Sequence, residues 1–169
     1  MKLLLLRHGI AADQDPSRIP DDSLRPLTSR GEQQVGEVAK TLRRLELGID
    51  TIWCSPFVRT RQTAAAVAKK LSLENRLQVR EELAPDGDSA KLLAELASFE
   101  PKPASVLLIG HEPYLSRLLS VIASGGSSVR VELKKGGLAR LDVTGPLGLH
   151  RCAVLQWLLP PRLLVKIRQ

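Results

Sequence analysis

The chain has 169 residues, of which 43% are apolar and 25% charged, and its formal net charge is +7. This length and mixture are typical of one globular domain, here residues 1–169, and exclude a disordered or fibrous chain. With two cysteines, the chain has neither a disulfide framework nor a cysteine-rich metal site. The apolar run Leu3–Leu6 ends at Arg7 and is too short for a signal peptide or a membrane-spanning helix. We therefore expect a cytoplasmic protein with no membrane partner.

The excess of positive charge leaves the class of partner open. A basic surface can meet nucleic acid, a membrane face or a phosphorylated partner, or it can simply be solvated. Aromatic residues make up 3% of the chain, too few to stack single-stranded bases, and no zinc-finger, RRM or KH signature occurs. We therefore do not expect nucleic acid as a partner and favour a confined phosphate pocket.

The first part of the chain predicts a strand, a loop and a helix in that order. Residues 2–7 form a short buried strand, because the run is apolar. Residues 10–27, rich in Asp and Pro, form a loop. Ser29 and Glu32 have the spacing of a capping box, and apolar positions at intervals of three and four follow them. This pattern predicts a helix that stops at Gly48.

Strands and helices continue to alternate over the middle of the chain. Residues 51–54 form a strand, and Ser55-Pro56 opens a helix to about Leu71, with Ser55 as N-cap and Pro56 at the first position. The remaining predicted elements are strand 77–79, turn 85–88, helix 89–97, strand 105–110, helix 113–123 and β segments 129–133, 138–143 and 153–158. The alternation predicts crossover connections and an α/β fold, a three-layer α/β/α sandwich with a mainly parallel, mixed central sheet.

Two of the three histidines occupy matching positions in this pattern. His8 and His111 each follow an apolar strand at its carboxyl end, where open α/β sheets bind ligands. One such histidine alone is as easily a loop residue, but two in matched positions favour a shared site between neighbouring strands. His150 precedes a β segment without a companion, and we interpret it as a structural or surface residue.

Two arginines stand near the same predicted strand ends. Arg7 adjoins His8, and Arg59 comes early in the helix after the second strand. A guanidinium near a helix N-terminus adds donors where anions already bind, although Arg59 could equally be a solvated helix residue. Arg61 competes with Arg59, but the two lie about 200° apart around a helix, so only one can point towards the site.

Four blocks of sequence occur in an order that resembles a known family. They are, in chain order, Arg7-His8-Gly9, Leu27-Thr28-x-x-Gly31-x-x-Gln34, Ser55-Pro56-x-x-Arg59-x-x-Gln62-Thr63-Ala64 and Gly110-His111. This order over residues 1–123 resembles the histidine phosphatase superfamily, whose fold is phosphoglycerate-mutase-like. The short length, Arg25-Pro26-Leu27-Thr28 and Glu82-Leu83-x-Pro85-x-Gly87-Asp88 are similar to the SixA-type phosphohistidine phosphatases.

The resemblance implies a metal-independent phosphatase without a cofactor. His8 would attack phosphorus as a neutral imidazole and become phosphorylated, and water would then release phosphate. Arg7 and Arg59 would bind the phosphoryl oxygens and, by their charge, keep His8 neutral. His111 would donate a hydrogen bond to the phosphoryl group. The sequence offers no clustered carboxylates and no Cys and His set that could bind a metal.

Glu82 and Arg25 have two interpretations each. Related phosphomonoesterases use a Glu as general acid, and Glu82 is the nearest positional match, but Glu81 and Glu82 can equally be a solvated pair. A phosphohistidine substrate weakens the need for an acid, since imidazole is a good leaving group. Arg25 either reaches the rim of the pocket and binds substrate or bonds to its own loop. The Asp-rich part of that loop, residues 13–22, lacks the spacing of a calcium site and is expected to be solvated.

The sequence thus supports three hypotheses about function. The leading one is hydrolysis of protein phosphohistidine through a phosphorylated His8, with a phosphohistidine-bearing signalling or phosphocarrier protein as partner and phosphate or another anion in the pocket. The second is a small-molecule phosphomonoesterase on the same fold. The third is a non-catalytic module that binds phosphate or nucleic acid.

Overall fold

The computed structural model describes residues 1–15 and 17–167; Pro16, inside the predicted loop, and residues 168–169, the end of the predicted domain, lie outside the described residues. The six strands are β1 Lys2–Arg7, β2 Thr51–Cys54, β3 Leu77–Val79, β4 Ser105–Gly110, β5 Leu138–Val143 and β6 Ala153–Leu159. The α-helices are α1 Ser29–Arg44, α2 Val58–Leu71, α3 Ser89–Ser98, α4 Tyr114–Ser124 and α5 Pro161–Leu164. Within the described ranges, none of these helices is long and apolar enough to cross a membrane.

The strands form one sheet in the order β3-β2-β4-β1-β5-β6. β1 runs parallel to β4, and β2 runs parallel to both β4 and β3. β5 and β6 form an antiparallel hairpin beside β1. The predicted mainly parallel, mixed sheet is therefore confirmed. In this order β1 and β4, the strands that precede the matched histidines, are direct neighbours.

The side chains of β1 alternate between two apolar cores, one on each face of the sheet. Leu3 and Leu5 pack in the core that includes side chains of α3 and α4, whereas Leu4 and Leu6 pack with side chains of α1 and α2. All four leucines are fully buried or nearly so. A strand covered on both faces requires such a continuous apolar run. Helices therefore cover both faces of the sheet, which confirms the predicted three-layer α/β/α architecture.

The predicted β segment at residues 129–133 is wrong. The backbone there bonds to side chains instead of to a strand, since Leu133 O accepts from Arg7 Nη1 at 2.9 Å and Leu133 N donates to Glu112 Oε1 at 3.1 Å. Both edges of β1 are already occupied, by β4 and β5. The alternation of apolar and polar residues here therefore belongs to a segment without regular secondary structure, which finds no free edge on β1.

The N-cap of helix α1 lies one residue earlier than predicted. Its N-cap is Thr28, not Ser29, and Thr28 Oγ1 accepts from Gly31 N at 3.0 Å. At the other end the helix stops at Arg44, before Gly48, which adopts a φ of +63°. The capping residue was therefore misplaced by one position, while the periodic apolar face placed the helix itself.

Helix α2 begins at Val58, later than the predicted start at Ser55-Pro56. Its N-cap is Phe57, which makes no side-chain capping bond. Ser55 Oγ accepts from Phe57 N at 3.3 Å, but it also lies 2.8 Å from His111 Nε2. The hydroxyl that was expected to cap the helix therefore contacts a residue that follows β4. The shift makes Arg59 the second residue of the helix.

Candidate active site

A cavity of about 310 Å³ opens beyond the carboxyl ends of β1 and β4, where an α/β sheet is expected to bind ligands. Most of its described lining residues are charged or polar, and the full set is Arg7, His8, Gln14, Asp22, Arg25, Arg59, Pro85, His111, Glu112 and Lys135. The cavity brings together five of the residues singled out in the sequence, namely Arg7, His8, Arg25, Arg59 and His111. Glu82 is not among the described residues that line it.

His8 presents one nitrogen as a nucleophile. Its Nδ1 lies 2.7 Å from Gly9 O, and because a carbonyl oxygen only accepts, Nδ1 carries the proton and Nε2 bears the lone pair. The side chain is 5% exposed. Burial, and then the positive charges of Arg59 and Arg7, lower the pKa of His8 to about 3. The imidazole is therefore neutral at physiological pH.

His111 faces His8 across the floor of the cavity, with the two ring centroids 5.2 Å apart. Its Nε2 lies 2.8 Å from Ser55 Oγ, and the ring of Phe57 packs against it edge to face at 4.9 Å. The side chain is 2% exposed. Burial, and then the neighbouring His8 and Arg59, lower the pKa of His111 to about 3. The cavity thus contains two uncharged imidazoles beside cationic side chains.

Arg59 enters the cavity from the first turn of α2. Its Nη1 donates to Asp22 O at 2.6 Å, and its Nη2 donates to Asp22 Oδ2 at 2.8 Å. The guanidinium also lies over the ring of Phe57, 4.9 Å from its centroid. Arg59 Nε is buried and has no partner among the described residues. Arg61 is exposed and lines a different cavity, as the 200° separation along the helix predicts.

Arg7 and Arg25 complete the positive side of the cavity. Arg7 extends from the end of β1 and donates from Nη1 to Leu133 O at 2.9 Å. Arg25 donates from Nε to Asp22 Oδ1 at 2.6 Å and from Nη1 to Ala12 O at 2.7 Å. Arg25 therefore lines the cavity and also bonds to its own loop, while its binding of substrate stays a prediction.

Glu82 does not belong to the described lining of this cavity. It is 7% exposed, and its carboxylate forms an ion pair with Lys91 Nζ. The hydrogen bond from Lys91 lowers the pKa of Glu82, so the carboxylate is ionised at neutral pH. It is not the exposed, solvated side chain of the alternative interpretation. Its role as general acid stays a prediction.

Sequence reasoning missed several lining residues, among them Asp22, Glu112 and Lys135. Glu112 directly follows His111, so its position beside the predicted site was an available signal. Lys135 belongs to a turn in which Gly136 N donates to Arg7 O at 3.1 Å and to His8 O at 3.0 Å. This turn packs against the start of the chain, and a contact over such a distance has no local signature in the sequence.

The chain matches the family model of the histidine phosphatase superfamily, branch 1, over residues 3–84. It is 34% identical over 126 residues to the phosphohistidine phosphatase SixA of Escherichia coli K12, covering 74% of this chain and 76% of that protein. It is also 37% identical over 168 residues to an uncharacterized protein of Picosynechococcus sp. PCC 7002, covering 95% of this chain and all of that protein.

The fold agrees with these similarities. A solved structure of the protein histidine phosphatase SixA in complex with tungstate superposes with a TM-score of 0.81 at 28% identity, covering 97% of this chain and 99% of that one. A structure of a putative SixA from Nakamurella multipartitia gives a TM-score of 0.75 at 26% identity, covering 93% and 94% of the two chains. On its sequence and its fold, the chain belongs to the histidine phosphatase superfamily, in the SixA-type branch.

Proposed function

We propose that this protein, acting as a single domain over residues 1–169, hydrolyses phosphohistidine on a partner protein and is itself phosphorylated on His8. The observation that carries the proposal is the state of His8, which is buried, neutral and oriented so that its Nε2 lone pair accepts no hydrogen bond from the described residues. Such an imidazole is a ready nucleophile at neutral pH. The tungstate complex of SixA supports a tetrahedral oxyanion as the ligand of this family branch.

In the first step the Nε2 lone pair of His8 attacks phosphorus in line. A new N–P bond forms while the P–N bond to the substrate imidazole breaks and its electron pair returns to the substrate nitrogen. Nδ1–H of His8 remains hydrogen-bonded to Gly9 O, which stabilises the positive charge that develops on the ring. The guanidinium groups of Arg7 and Arg59 bind the equatorial phosphoryl oxygens, and His111 donates to the same group.

In the second step water attacks phosphorus of the phosphorylated His8. The electron pair of the enzyme's P–N bond returns to Nε2, the water oxygen and its two protons stay with the phosphoryl group, and dihydrogen phosphate leaves. In both steps the phosphoryl group carries negative charge. Four cationic side chains in the lining of the cavity stabilise this charge, namely Arg7, Arg25, Arg59 and Lys135.

The placement of Glu82 supports a nitrogen leaving group over an alkoxide. An alkyl phosphate needs a proton on its leaving oxygen from an acid, whereas a phosphoimidazole that has taken a proton from solvent on its distal nitrogen leaves as neutral imidazole. Glu82 is ion-paired with Lys91 and its pKa is lowered, so it is a poor proton donor. The cavity therefore suits phosphohistidine better than a phosphate ester.

The test measures inorganic phosphate released by the purified protein in EDTA from two substrates in parallel, a phosphohistidine-bearing carrier protein and p-nitrophenyl phosphate. We expect a strong preference for the phosphohistidine, loss of release in His8→Ala, and a radiolabelled phosphoenzyme in wild type only. His150→Ala is the matched control, since it removes an exposed histidine outside the cavity.

Two results would contradict the proposal in different ways. Turnover of the ester alone would replace the protein substrate by a small phosphomonoester. Release from neither substrate, with phosphate still bound, would identify a non-catalytic phosphate-binding module.

A further inference from the structure

Ser55 lies between the ends of two central strands and its backbone is fixed on both sides. It follows β2 directly and is fully buried. Ser55 N donates to Ile109 O at 3.1 Å, continuing the pairing of β2 with β4, and Ser55 O accepts from Thr60 Oγ1 at 2.9 Å. The hydroxyl therefore projects from a rigid point of the sheet towards His111.

The hydroxyl of Ser55 has two neighbours, and their chemistry determines which of them receives its proton. Phe57 N lies 3.3 Å from Ser55 Oγ and can only donate, so it uses a lone pair of the hydroxyl. His111 Nε2 lies 2.8 Å away and can either donate or accept. If Nε2 donated, the hydroxyl proton would have no acceptor among the described residues at this fully buried position. If Nε2 accepts, both partners of the hydroxyl are satisfied.

The same matching of donors and acceptors shows whether the other nitrogen of His111 carries a proton. Nδ1 is buried and has no hydrogen-bond partner among the described residues. His111 is held uncharged by burial, which lowers its pKa to about 3, so only one of its two nitrogens carries a proton. With Nε2 accepting from Ser55, that proton is on Nδ1, and a side chain that lines the cavity then has a donor available for an oxyanion. In the opposite tautomer a lone pair would meet the oxyanion and repel it.

We propose that Ser55 is a positioning residue that holds His111 in the Nδ1–H tautomer, so that an uncharged imidazole donates a hydrogen bond to the transferring phosphoryl group. The packing of Phe57 against the ring of His111 fixes the plane in which this donor lies. An uncharged donor also avoids adding a further positive charge beside His8, Arg7 and Arg59. The catalytic consequence rests on the proposed function, whereas the tautomer itself does not.

The test reads the tautomer directly, by ¹⁵N NMR of the histidine ring nitrogens at pH 7. In wild type we expect a protonated Nδ1 and an unprotonated Nε2 for His111, assigned by their loss in His111→Asn. In Ser55→Ala we expect a mixture of tautomers and a kcat for phosphate release lowered by about 10-fold or more, since removal of one oxyanion donor costs roughly 10²–10³-fold. KM should change less than kcat.

Ser105→Ala is the matched control, because it removes another fully buried serine hydroxyl, at the amino end of β4, opposite to the end that His111 follows. It should keep the wild-type tautomer. A protonated Nε2 in wild type overturns the inference even if Ser55→Ala fails to fold, and so does an unchanged tautomer or an unchanged kcat in folded Ser55→Ala. If wild type releases no phosphate from either substrate, the proposed function fails, while the NMR spectrum still decides the tautomer.

Discussion

The carboxylate of Asp22 connects the two arginines at the rim of the cavity. Its Oδ2 and its backbone oxygen accept from Arg59, and its Oδ1 accepts from Arg25. Partial burial opposes ionisation of Asp22, but the hydrogen bonds from Arg59 and Arg25 prevail and lower its pKa. At neutral pH the charged carboxylate therefore fixes the orientation of both guanidinium groups before a substrate enters.

Asp22→Ala should lower kcat/KM for phosphate release by about 10- to 100-fold, because a displacement of about 1 Å in a substrate-binding group has an effect of this size. Asp22→Asn should recover part of the loss, since an amide oxygen still accepts from Arg59. Asp21→Ala is the control: Asp21 is exposed and bonds to Ser23 N, not to a guanidinium. Equal losses in the two alanine variants would show that only the local turn matters.

Glu82→Gln tests whether the buried carboxylate protonates the leaving group. Because Glu82 is paired with Lys91 and lies outside the described cavity lining, we expect phosphohistidine hydrolysis to fall by less than about 10-fold, against the roughly 10²–10⁴-fold contributed by a general acid. Glu81→Gln, at the exposed neighbouring position, is the control. A loss of 100-fold in steady-state phosphate release that is absent in Glu81→Gln would assign Glu82 as the acid.

At the scale of elements, two motif glutamines hold the loop that follows His8 against the helices. Gln34 Oε1 accepts from Ile10 N at 3.2 Å while its Nε2 donates to Lys135 O at 2.8 Å, and Gln62 Oε1 accepts from Leu27 N at 2.7 Å. These residues belong to the motif blocks, yet none of these contacts involves a reacting group. They place the loop that carries Asp22 and Arg25.

Gly31 and Gly36 provide a matched pair within α1. A Cβ on Gly31 would overlap the backbone oxygen of Ile10, whereas a Cβ on Gly36 would meet nothing within 4 Å. We expect Gly31→Ala to lower the free energy of unfolding by about 1–3 kcal/mol, the usual range for overpacking. Gly36→Ala should raise it by up to about 1 kcal/mol through helix propensity. Urea unfolding checks both, and destabilisation of equal size would show that the close approach to Ile10 is unimportant.

The elements that could be predicted from the sequence are those with a local signal. The leucine run of β1 and the apolar face of α1 placed these elements because burial follows the period of the backbone. The start of α2 and the segment 129–133 could not be predicted, since Ser55 Oγ and the backbone of Leu133 bond to residues far along the chain. For the cavity, the matched positions of His8 and His111 after two strands predicted that both line it, whereas Asp22, in a short 3₁₀ helix, and Lys135, in a turn, carry no such local signal.

At the scale of the whole molecule, the strand order brings two titratable histidines and two arginines together at one end of the sheet. β1 and β4 are neighbours, so the chain buries two histidines beside Arg7 and Arg59. Both imidazoles are kept neutral by burial first and by the neighbouring charges second. Folding therefore opposes their protonation, and the stability of the entire fold depends on pH through His8 and His111.

This coupling predicts a loss of stability in mild acid. The unfolded chain binds protons on its histidines below a pKa of about 6.5, but folded His8 and His111 do not until about pH 3. Between these values the unfolded state holds more protons, so the free energy of unfolding falls with decreasing pH, approaching about 1.4 kcal/mol per pH unit for each histidine. Urea unfolding between pH 6.5 and 5, above the range of most carboxylates, should show a shallower slope in His8→Ala and the wild-type slope in His150→Ala. Equal slopes in wild type and His8→Ala would mean that folded His8 accepts a proton in this range, and its neutral state could not then be the source of its nucleophilicity.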